Sequence, residues 1–389
     1  MPVVSHAGGL GVAPLVFILG ATGLFLAIKT KAVSITRTQI VLAIFLVWLC
    51  LTSLWSPYKP DDALTNYTKL AIMVAIFYWS HVLFKYTARH YQRRLQHLFM
   101  ATSFFAAGIL VIDLLSDFGL TFLFNPVSNY NEALFRMIDA EMNLGHSITI
   151  LLLIAAPVAL LMRTQLPTRL ARPVMVLFLS LLAIAAWLNG LAVGLLGLIF
   201  VVIAVVAGYL YPRIMPRALL SLGIAAILFA PLLAFLASNY VAMGDTNFPL
   251  SWDHRLRMWG YCWDVITEHP IWGNGFDASR TFSETFIASD GREIVTVSLH
   301  PHNAGIQIWT ETGIIGAILA SAVICSLFKP VQNYAQSRDH AAAISGVITA
   351  TIIVSSLTYG AWQFWWWASV FFAIGTLYLF PNSKGSAAQ

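Results

Sequence analysis

The stretch "LAVGLLGLIFVVIAVVAG", residues 191–208, is apolar from end to end and contains no charged side chain. The hydrocarbon core of a bilayer is about 30 Å thick and is crossed by roughly 20 apolar residues in an α-helix. This stretch is therefore predicted to be a transmembrane helix. Ten further stretches have the same character, at about 11–28, 38–55, 68–84, 96–116, 146–162, 173–189, 216–237, 303–327, 341–359 and 362–380.

The composition of the whole chain agrees with a membrane protein. Of its 389 residues, 59% are hydrophobic and only 10% are charged, which leaves too little polar surface to cover a soluble core. The apolar runs are near-continuous and do not alternate in ten-residue segments, as the strands of a transmembrane β-barrel would. Residues 11–28 follow no charged n-region, so they are expected to be a span and not a cleaved signal. The sequence predicts an all-α, polytopic transmembrane bundle.

The positive charges predict which side of the membrane each loop faces. Fifteen of the 22 lysines and arginines fall on one set of alternate loops, almost without carboxylates, and the positive-inside rule makes that side cytoplasmic. The other seven lie on the outer side among nearly all the acidic residues: Lys59, Lys69, Arg136, Arg255, Arg257, Arg280 and Arg292. Because these seven run against the usual bias, each of them needs a specific reason. With eleven spans, the N-terminus is expected outside.

Two outer loops are longer than the others, residues 117–145 and residues 238–302. Long loops in a compact protein are usually either functional or disordered, and the aromatic content of the second loop argues against disorder. We therefore divide the chain into an N-terminal transmembrane bundle of about eight spans (1–237), a large outer loop (238–302), and C-terminal spans with a short cytoplasmic tail (303–389).

An amphipathic helix is predicted near the start of the large loop. Ser251 is the expected N-cap, and Pro270 ends the helix after His269. At about 100° per residue, the apolar side chains form one stripe made of Trp252, Leu256, Trp259, Trp263 and Ile266. Such a stripe suits an interfacial helix that lies on or against the membrane surface.

Two arginines of this helix have different surroundings. Arg257 is expected on the face opposite the stripe, where Asp253 at i−4 would form a salt bridge with it. Arg255 lies at the border of the aromatic stripe, and no carboxylate at helical spacing neutralises it on that side. Arg255 is therefore a candidate for binding an anion.

The segment "HPHNAGIQIWTETGIIGA", residues 300–317, places polar side chains at the start of an apolar span. If a helix begins near Asn303, then Asn303, Gln307 and Glu311 are spaced four apart and form one polar stripe. At a rise of 1.5 Å per residue, Glu311 lies roughly 12 Å below the first turn. It is therefore either protonated or paired inside the bundle, and both a functional and a structural role stay open.

The two histidines of the same segment are candidates for proton transfer. A neutral imidazole accepts a proton near physiological pH, and the free N–H groups of a helix start favour an anion beside it. His300 and His302 could also begin a zinc site, but no further histidine or cysteine lies nearby in the sequence to complete it. We expect no metal and no other cofactor, and a substrate that is anionic, lipid-borne and reactive at a hydroxyl.

These motifs resemble the bacterial O-antigen ligase and O-antigen polymerase superfamily of polytopic glycosyltransferases. The resemblance rests on "RLRMWGYCWDVITEHPIWGNGF" at 255–276 and "HPHNAGIQIWTETGIIG" at 300–316, in which Gly313 follows His302 after ten intervening residues. The segment "LWSPYKPDDAL" at 54–64 is a softer match. Twelve spans are usual in the family, so the expected number is 11 to 12.

The resemblance implies a metal-independent, inverting transfer at the periplasmic face of the bacterial inner membrane. The donor would be a glycan on undecaprenyl diphosphate, and the acceptor would be lipid A-core or another lipid-linked glycan. His302 matches the family's general base, and Arg255 matches an arginine that binds the diphosphate. Many members carry a further Ser-Arg where this chain reads "NGLAVG" at 189–194. Arg136, Arg280 or Arg257 would have to replace that arginine, whereas His300, Asn303, Gln307 and Glu311 would support the site.

Other functions stay open from the sequence. Within the family, a polymerase joins lipid-linked repeats and is hard to separate from a ligase. A flippase for the same lipid-linked glycan would need polar residues along a path through the membrane, yet here they cluster at the outer side. A metal-dependent membrane hydrolase is a third alternative. Nucleic acid is not an expected partner; membrane lipids are.

Overall fold

The computed structural model describes residues 8–31, 35–124, 130–244, 248–288 and 291–380. The α-helices in these ranges are α1 (Gly8–Lys29), α2 (Arg37–Ser53), α3 (Pro60–Tyr78), α4 (Ser80–Leu115), α5 (Gly119–Phe124), α6 (Tyr130–Gln165), α7 (Thr168–Leu188), α8 (Ala192–Leu210), α9 (Met215–Leu228), α10 (Ala230–Ala242), α11 (Leu250–Glu268), α12 (Ala304–Ser326), α13 (Phe328–Tyr334), α14 (Arg338–Leu357) and α15 (Phe364–Thr376). Two short strands, β1 (Thr285–Ile287) and β2 (Glu293–Val295), pair antiparallel. The predicted all-α fold class is confirmed.

The apolar helices make this a multi-pass membrane protein. Eight helices of the described chain are long and apolar enough to cross a membrane, and α9 with α10 forms a further candidate span, bent by 54°. Two shorter apolar helices lie at Arg37–Ser53 and Phe364–Leu379. All eleven predicted stretches fall on helices, but only eight or nine have spanning length. Residues 54–59 follow the first of these short helices and residues 358–363 precede the second.

The predicted outer loop at 117–145 is mostly helical. α6 already begins at Tyr130, and α5 covers Gly119–Phe124. The buried carboxylate of Asp113 holds the start of α5, since the backbone N–H groups of Leu120 and Thr121 donate to its Oδ1 at 2.8 and 3.1 Å. The hydroxyl of Thr121 donates to Oδ2 at 2.6 Å. Thus Asp113, one of the deeper acidic residues in the sequence, caps a helix.

The hydrophobic core is centred on α6, whose middle turns are buried on every side. Leu151, Leu153 and Ile154 are fully buried there. α14 packs against both α6 and α8, and α15 packs against α1, α3 and α4. Helices from residues 303–389 therefore share one core with helices from residues 1–237.

The large loop contains the predicted helix as α11. α11 begins at Leu250 with Pro249 as its N-cap, so the predicted Ser251 cap is two residues late. The helix ends at Glu268 with His269 as its C-cap, before Pro270 as predicted. The apolar stripe of α11 is turned toward the protein. Trp259 and Ile266 are buried in a cluster with alanines of α10 and with Ile306 of α12. The stripe thus fixes the loop to the bundle, and membrane contact is left to the other surfaces of the protein.

α12 is broken in its middle, and the loop fills the break. Gly313 has a φ of 64°, which interrupts the helical backbone. The freed carbonyls of Thr310 and Glu311 accept hydrogen bonds from the backbone N–H groups of Asn274 and Gly275, at 2.9 and 2.8 Å. The N–H of Ile314 donates to the carbonyl of Pro270 at 2.9 Å. Irregular backbone at this depth is tolerated because each freed group finds a protein partner.

Two glycines, Gly273 and Gly190, have the same φ of +68°, so substitutions at these positions can test the contact between the large loop and α12. A Cβ on Gly273 would lie 2.4 Å from the backbone carbon of Glu311, whereas a Cβ on Gly190 would meet nothing within 4 Å. A positive φ costs an alanine about 1–2 kcal/mol, and overpacking adds about 1–3 kcal/mol.

We therefore expect Gly273→Ala to lower the free energy of unfolding by about 1–3 kcal/mol more than Gly190→Ala does. Thermal unfolding of the two purified variants in the same detergent measures the difference. Equal losses for both variants would show that the loop does not press on α12 at Gly273.

Candidate functional site

Three connecting segments meet at the start of α12: residues 54–59, residues 269–303 and residues 358–363. The hydroxyl of Ser56 donates to the carbonyl of Phe276 at 2.7 Å. The side-chain amide of Asn66 donates to Asp277 at 2.9 Å, and the N–H of Ala361 donates to Oε1 of Gln307 at 2.7 Å. These contacts draw the first outer segment, the large loop and the segment before α15 around one point.

The segment His300 to Asn303 is held rigidly by its neighbours. Asn303 is the N-cap of α12 as predicted, and its Oδ1 accepts a hydrogen bond from the N–H of Ile306 at 3.0 Å. Nε1 of Trp259 donates to the carbonyl of Pro301 at 2.9 Å. His302 has a φ of 51°, a left-handed conformation that a non-glycine residue adopts only where its surroundings enforce it. The turn therefore presents both histidines in a fixed orientation.

The two imidazole rings lie side by side, with 4.5 Å between their centroids. Nδ1 of His302 is hydrogen-bonded to the backbone carbonyl of Thr358. Because a carbonyl can only accept, Nδ1 carries the hydrogen and Nε2 keeps its lone pair free for a proton. Nε2 of His300 is buried and has no hydrogen-bond partner among the described residues.

Both histidines are neutral at neutral pH. Burial lowers the pKa of His302, and nearby Arg255 and His254 lower it further. The hydrogen bond to the carbonyl of Thr358 raises this pKa but does not outweigh the other effects. Burial, with a contribution from His302, lowers the pKa of His300 to about 3. A neutral imidazole with a fixed Nδ1–H is the form that accepts a proton from a substrate. This arrangement supports the predicted role of His302.

Arg255 lies beside His302 and has no carboxylate partner among the described residues. Its guanidinium donates to the carbonyl of Ser251 at 2.8 Å and lies 5.5 Å from the ring of Trp252. Nε of Arg255 is buried and unpaired, and burial lowers the pKa of this guanidinium. A partly desolvated cation that has no carboxylate partner in the described ranges favours an anionic ligand beside it.

The other arginines differ from Arg255. Arg257 pairs with Asp253 at 3.0 Å, and this bears out its predicted structural role. Arg280 is exposed, pairs with Asp277 at 3.2 Å and lies 5.6 Å from the ring of Tyr58. Arg136 lies near the start of α6, is half-buried and is absent from the lining of the cavity beside His300. The structure therefore brings Arg255 and Arg280 to the histidines and leaves Arg136 outside the cavity.

Glu311 is fully buried and accepts four hydrogen bonds. The donors are the N–H of Asp277 at 2.8 Å, the hydroxyl of Ser279 at 2.6 Å, the amide of Gln307 at 3.1 Å, and Nε1 of Trp362. Of the two predicted possibilities, a partnered carboxylate agrees with this geometry. Glu311 joins the large loop to the segment before α15, and Gln307 extends the network to the cavity beside His300.

A cavity of about 200 Å³ opens beside His300. Its inner wall includes Phe276, Gln307, Trp362 and Trp365, and its rim includes the exposed side chains of Lys69 and Arg280. Asn66 and Gln363 also line it. In the sequence Lys69 is only an unusual outer charge, and the aromatic stretch at 359–367 indicates an anchor at the outer surface without showing that Trp362, Gln363 and Asn66 meet in a cavity. These three are brought to the site by long-range packing.

Part of this chain, including most of the site, is similar in sequence to known proteins. Residues 175–321 match the family model of O-antigen ligases, a segment that contains Arg255, Arg280, both histidines and Glu311. The resemblance to the O-antigen ligase superfamily is confirmed. The matched segment runs from α7 into α12 and leaves Lys69, Arg136 and Gln363 outside it.

Curated relatives match over a short part of the chain. A Rickettsia felis protein named "Putative polysaccharide ligase" is 36% identical over 119 residues, which are 30% of this chain and 29% of that protein. A similarly named Rickettsia prowazekii protein is 34% identical over 116 residues, 29% of this chain and 28% of the relative. This chain thus covers less than a third of the length of these relatives.

The network around Glu311 generates a stability prediction. Glu311→Gln replaces one carboxylate oxygen by an NH₂ group that faces donors, and buried hydrogen bonds to a charged group contribute about 1.5–3 kcal/mol each. We expect the variant to lose about 3 kcal/mol of unfolding free energy, measured by thermal unfolding in detergent.

The matched control is Glu268→Gln, the same substitution at an exposed carboxylate of α11. This change should stay within about 0.5 kcal/mol of the native protein. A similar stability for both variants would contradict a bracing role for Glu311.

Proposed function

We propose that this protein is an O-antigen ligase-like, inverting glycosyltransferase. It transfers a glycan from undecaprenyl diphosphate to a hydroxyl of lipid A-core at the periplasmic face of the inner membrane. The observation that carries the proposal is the proximity of a neutral, oriented His302 to the half-buried guanidinium of Arg255, which has no carboxylate partner among the described residues. One group can accept a proton and the other can stabilise a leaving anion, which are the two requirements of this reaction.

His302 is proposed as the general base. The acceptor hydroxyl gives its proton to Nε2 of His302, and its oxygen forms a bond to the anomeric carbon of the donor glycan. The bond from that carbon to the diphosphate oxygen breaks, and undecaprenyl diphosphate leaves with the electron pair. Attack opposite to the leaving group inverts the anomeric configuration. A positioned base of this kind contributes typically about 10² to 10⁴ in rate.

Arg255 is proposed to hold the diphosphate. The leaving group gains negative charge as the glycosidic bond breaks, and a fixed guanidinium in a site with little water stabilises that charge more strongly than water does. The guanidinium fork can bind two phosphate oxygens at once. Among the other candidates, Arg280 is already paired with Asp277 and Arg136 does not line the cavity. Arg255 therefore carries this part of the proposal, and no metal ion has a role in it.

The proposed sidedness rests on the charge distribution. The loop segments that build the site lie on the side predicted to be periplasmic by the positive-inside rule. The names of the Rickettsia relatives support a polysaccharide ligase. A polymerase would use the same base and the same diphosphate site with a different acceptor, so the acceptor must be identified by experiment.

The genetic experiment distinguishes ligase from polymerase. A deletion strain is complemented with the native gene or with His302→Ala, and lipopolysaccharide and lipid-linked glycans are profiled. For a ligase we expect bare lipid A-core, accumulated undecaprenyl-linked polymer, and rescue by the native gene alone. Single repeats that still reach lipid A-core, with long chains missing, would identify a polymerase. Normal transfer by His302→Ala would remove His302 from the mechanism.

The diphosphate site is tested by one substitution at two positions of α11. Lysine keeps the positive charge but lacks the guanidinium fork, and the loss of one hydrogen bond to a charged group costs about 1.5 kcal/mol. Arg255→Lys should therefore lower kcat/KM about tenfold in a transfer assay with purified components. Arg257→Lys keeps its partner Asp253 and should change kcat/KM less than twofold or so. Equal effects at both positions would contradict a specific role for Arg255.

A further inference from the structure

The cavity beside His300 has the chemistry of a carbohydrate site. Its inner wall presents the aromatic rings of Phe276, Trp362 and Trp365, whose faces can stack on the C–H groups of a sugar ring. A cavity of about 200 Å³ is smaller than the roughly 300–1,000 Å³ of sites for drug-sized ligands. It therefore fits a single monosaccharide unit better than a whole oligosaccharide repeat.

Two side chains that line the cavity carry polar atoms without a partner. Oε1 of Gln363 and Nε2 of His300 are buried and make no hydrogen bond among the described residues. Buried polar groups are normally satisfied, and an unsatisfied one costs about 1–3 kcal/mol. Sugar hydroxyls both donate and accept, so a bound sugar can satisfy an amide oxygen and an imidazole nitrogen at once.

The rim of the cavity carries positive charge. Arg280 is balanced by Asp277, which also accepts a hydrogen bond from Asn66. Lys69 is exposed, and it has no ion-pair partner among the described residues. The uncompensated charge at the mouth is therefore that of Lys69, and it favours an acidic group on the ligand.

The position of the cavity relative to the histidines indicates which substrate it serves. His300 and Arg280 line the cavity, whereas Arg255, the proposed diphosphate ligand, does not line it and lies near His302. In an inverting displacement the acceptor oxygen and the leaving diphosphate lie on opposite sides of the anomeric carbon. The cavity is therefore on the acceptor side of the histidine pair.

We propose that this cavity binds one sugar unit of the acceptor glycan that carries an acidic substituent, with Lys69 at the acidic group and Gln363 at the hydroxyls. The inference rests on the proposed function for the identity of the ligand as acceptor. The acidic group can be a phosphate or a carboxylate, since a lysine ammonium binds both as a point charge.

Equilibrium binding to the purified full chain in zwitterionic nanodiscs, without donor, tests the cavity independently of transfer. The probes are a phosphorylated core oligosaccharide and its dephosphorylated form, and a hexuronic-acid disaccharide and its carboxyl-reduced form. Each acidic probe is compared with its own neutral partner, so the two sources of negative charge are measured separately. We expect the native protein to prefer the acidic member of at least one pair.

Two substitutions separate the roles of charge and hydrogen bonding. Lys69→Gln should reduce the ratio of the affinity for the acidic probe to the affinity for its neutral partner about fivefold, which is the largest effect expected from one exposed ion pair. Lys329→Gln, the same change at an exposed lysine of α13, is the control for net charge. Gln363→Leu should weaken both members of the preferred pair about fivefold by removing a neutral hydrogen bond. A substitution that merely disturbed the fold would not change the acidic-to-neutral ratio in one variant and preserve it in the other.

The outcomes separate this inference from the proposed function. No preference for acidic probes, or an equal ratio in Lys69→Gln, Lys329→Gln and the native protein, would overturn the inference even if the native protein transfers glycan. Selective binding by a native protein that transfers nothing from a lipid-diphosphate donor would contradict the proposed function and leave the cavity assigned to an acidic sugar. A preference limited to the phosphate pair or the carboxylate pair identifies the substituent.

Discussion

The structure depends on one constraint, which is that polar groups inside a membrane bundle must find partners within the protein. α12 breaks at Gly313, and its freed carbonyls are satisfied by backbone N–H groups of the large loop. The same loop and the segment before α15 surround Glu311 with hydrogen-bond donors. Because each of these groups would be costly to leave unpaired, the loop cannot leave α12 without exposing them, and the break and the loop stabilise each other.

This constraint also orients the site. The start of α12 is capped by Asn303, and Trp259 of α11 is hydrogen-bonded to Pro301, so the two histidines are held between elements that are themselves fixed. Thr358, from the end of α14, determines which nitrogen of His302 bears the hydrogen. The orientation of His302 therefore comes from three distant parts of the chain, and its proposed role as a base requires such a fixed orientation.

The charges around the histidines are unevenly balanced. Arg257 and Arg280 each have an aspartate, whereas Arg255 and Lys69 have no carboxylate partner in the described ranges. Arg255 lies near His302 and Lys69 lines the cavity beside His300, so the proposed diphosphate site and the proposed acidic-sugar site are at different sides of the histidine pair. In the proposed reaction, one site would hold the diphosphate of the donor and the other the acidic sugar of the acceptor, so that the acceptor hydroxyl lies next to both the anomeric carbon and His302. This arrangement connects the unusual outer charges of the sequence with the chemistry proposed for the protein.

The sequence by itself determined the helical membrane fold, the position of every apolar stretch, the C-terminal end of the helix before Pro270 and the cap Asn303, and it predicts Arg255, His300 and His302 as candidate site residues. These follow from local rules of hydropathy, helix capping and charge spacing, which need no knowledge of distant contacts. The sequence predicts a loop at 117–145 because the residues there are polar, although most of them are helical in the structure. It predicts eleven spans because hydropathy alone does not show where short helices end. Only the tertiary structure decided that the α11 stripe faces the protein, that Glu311 is a satisfied brace, and that Lys69 and Gln363 meet at one cavity. The physical reason is that these features depend on which partners the fold brings within hydrogen-bonding distance, and that information is distributed over residues hundreds of positions apart.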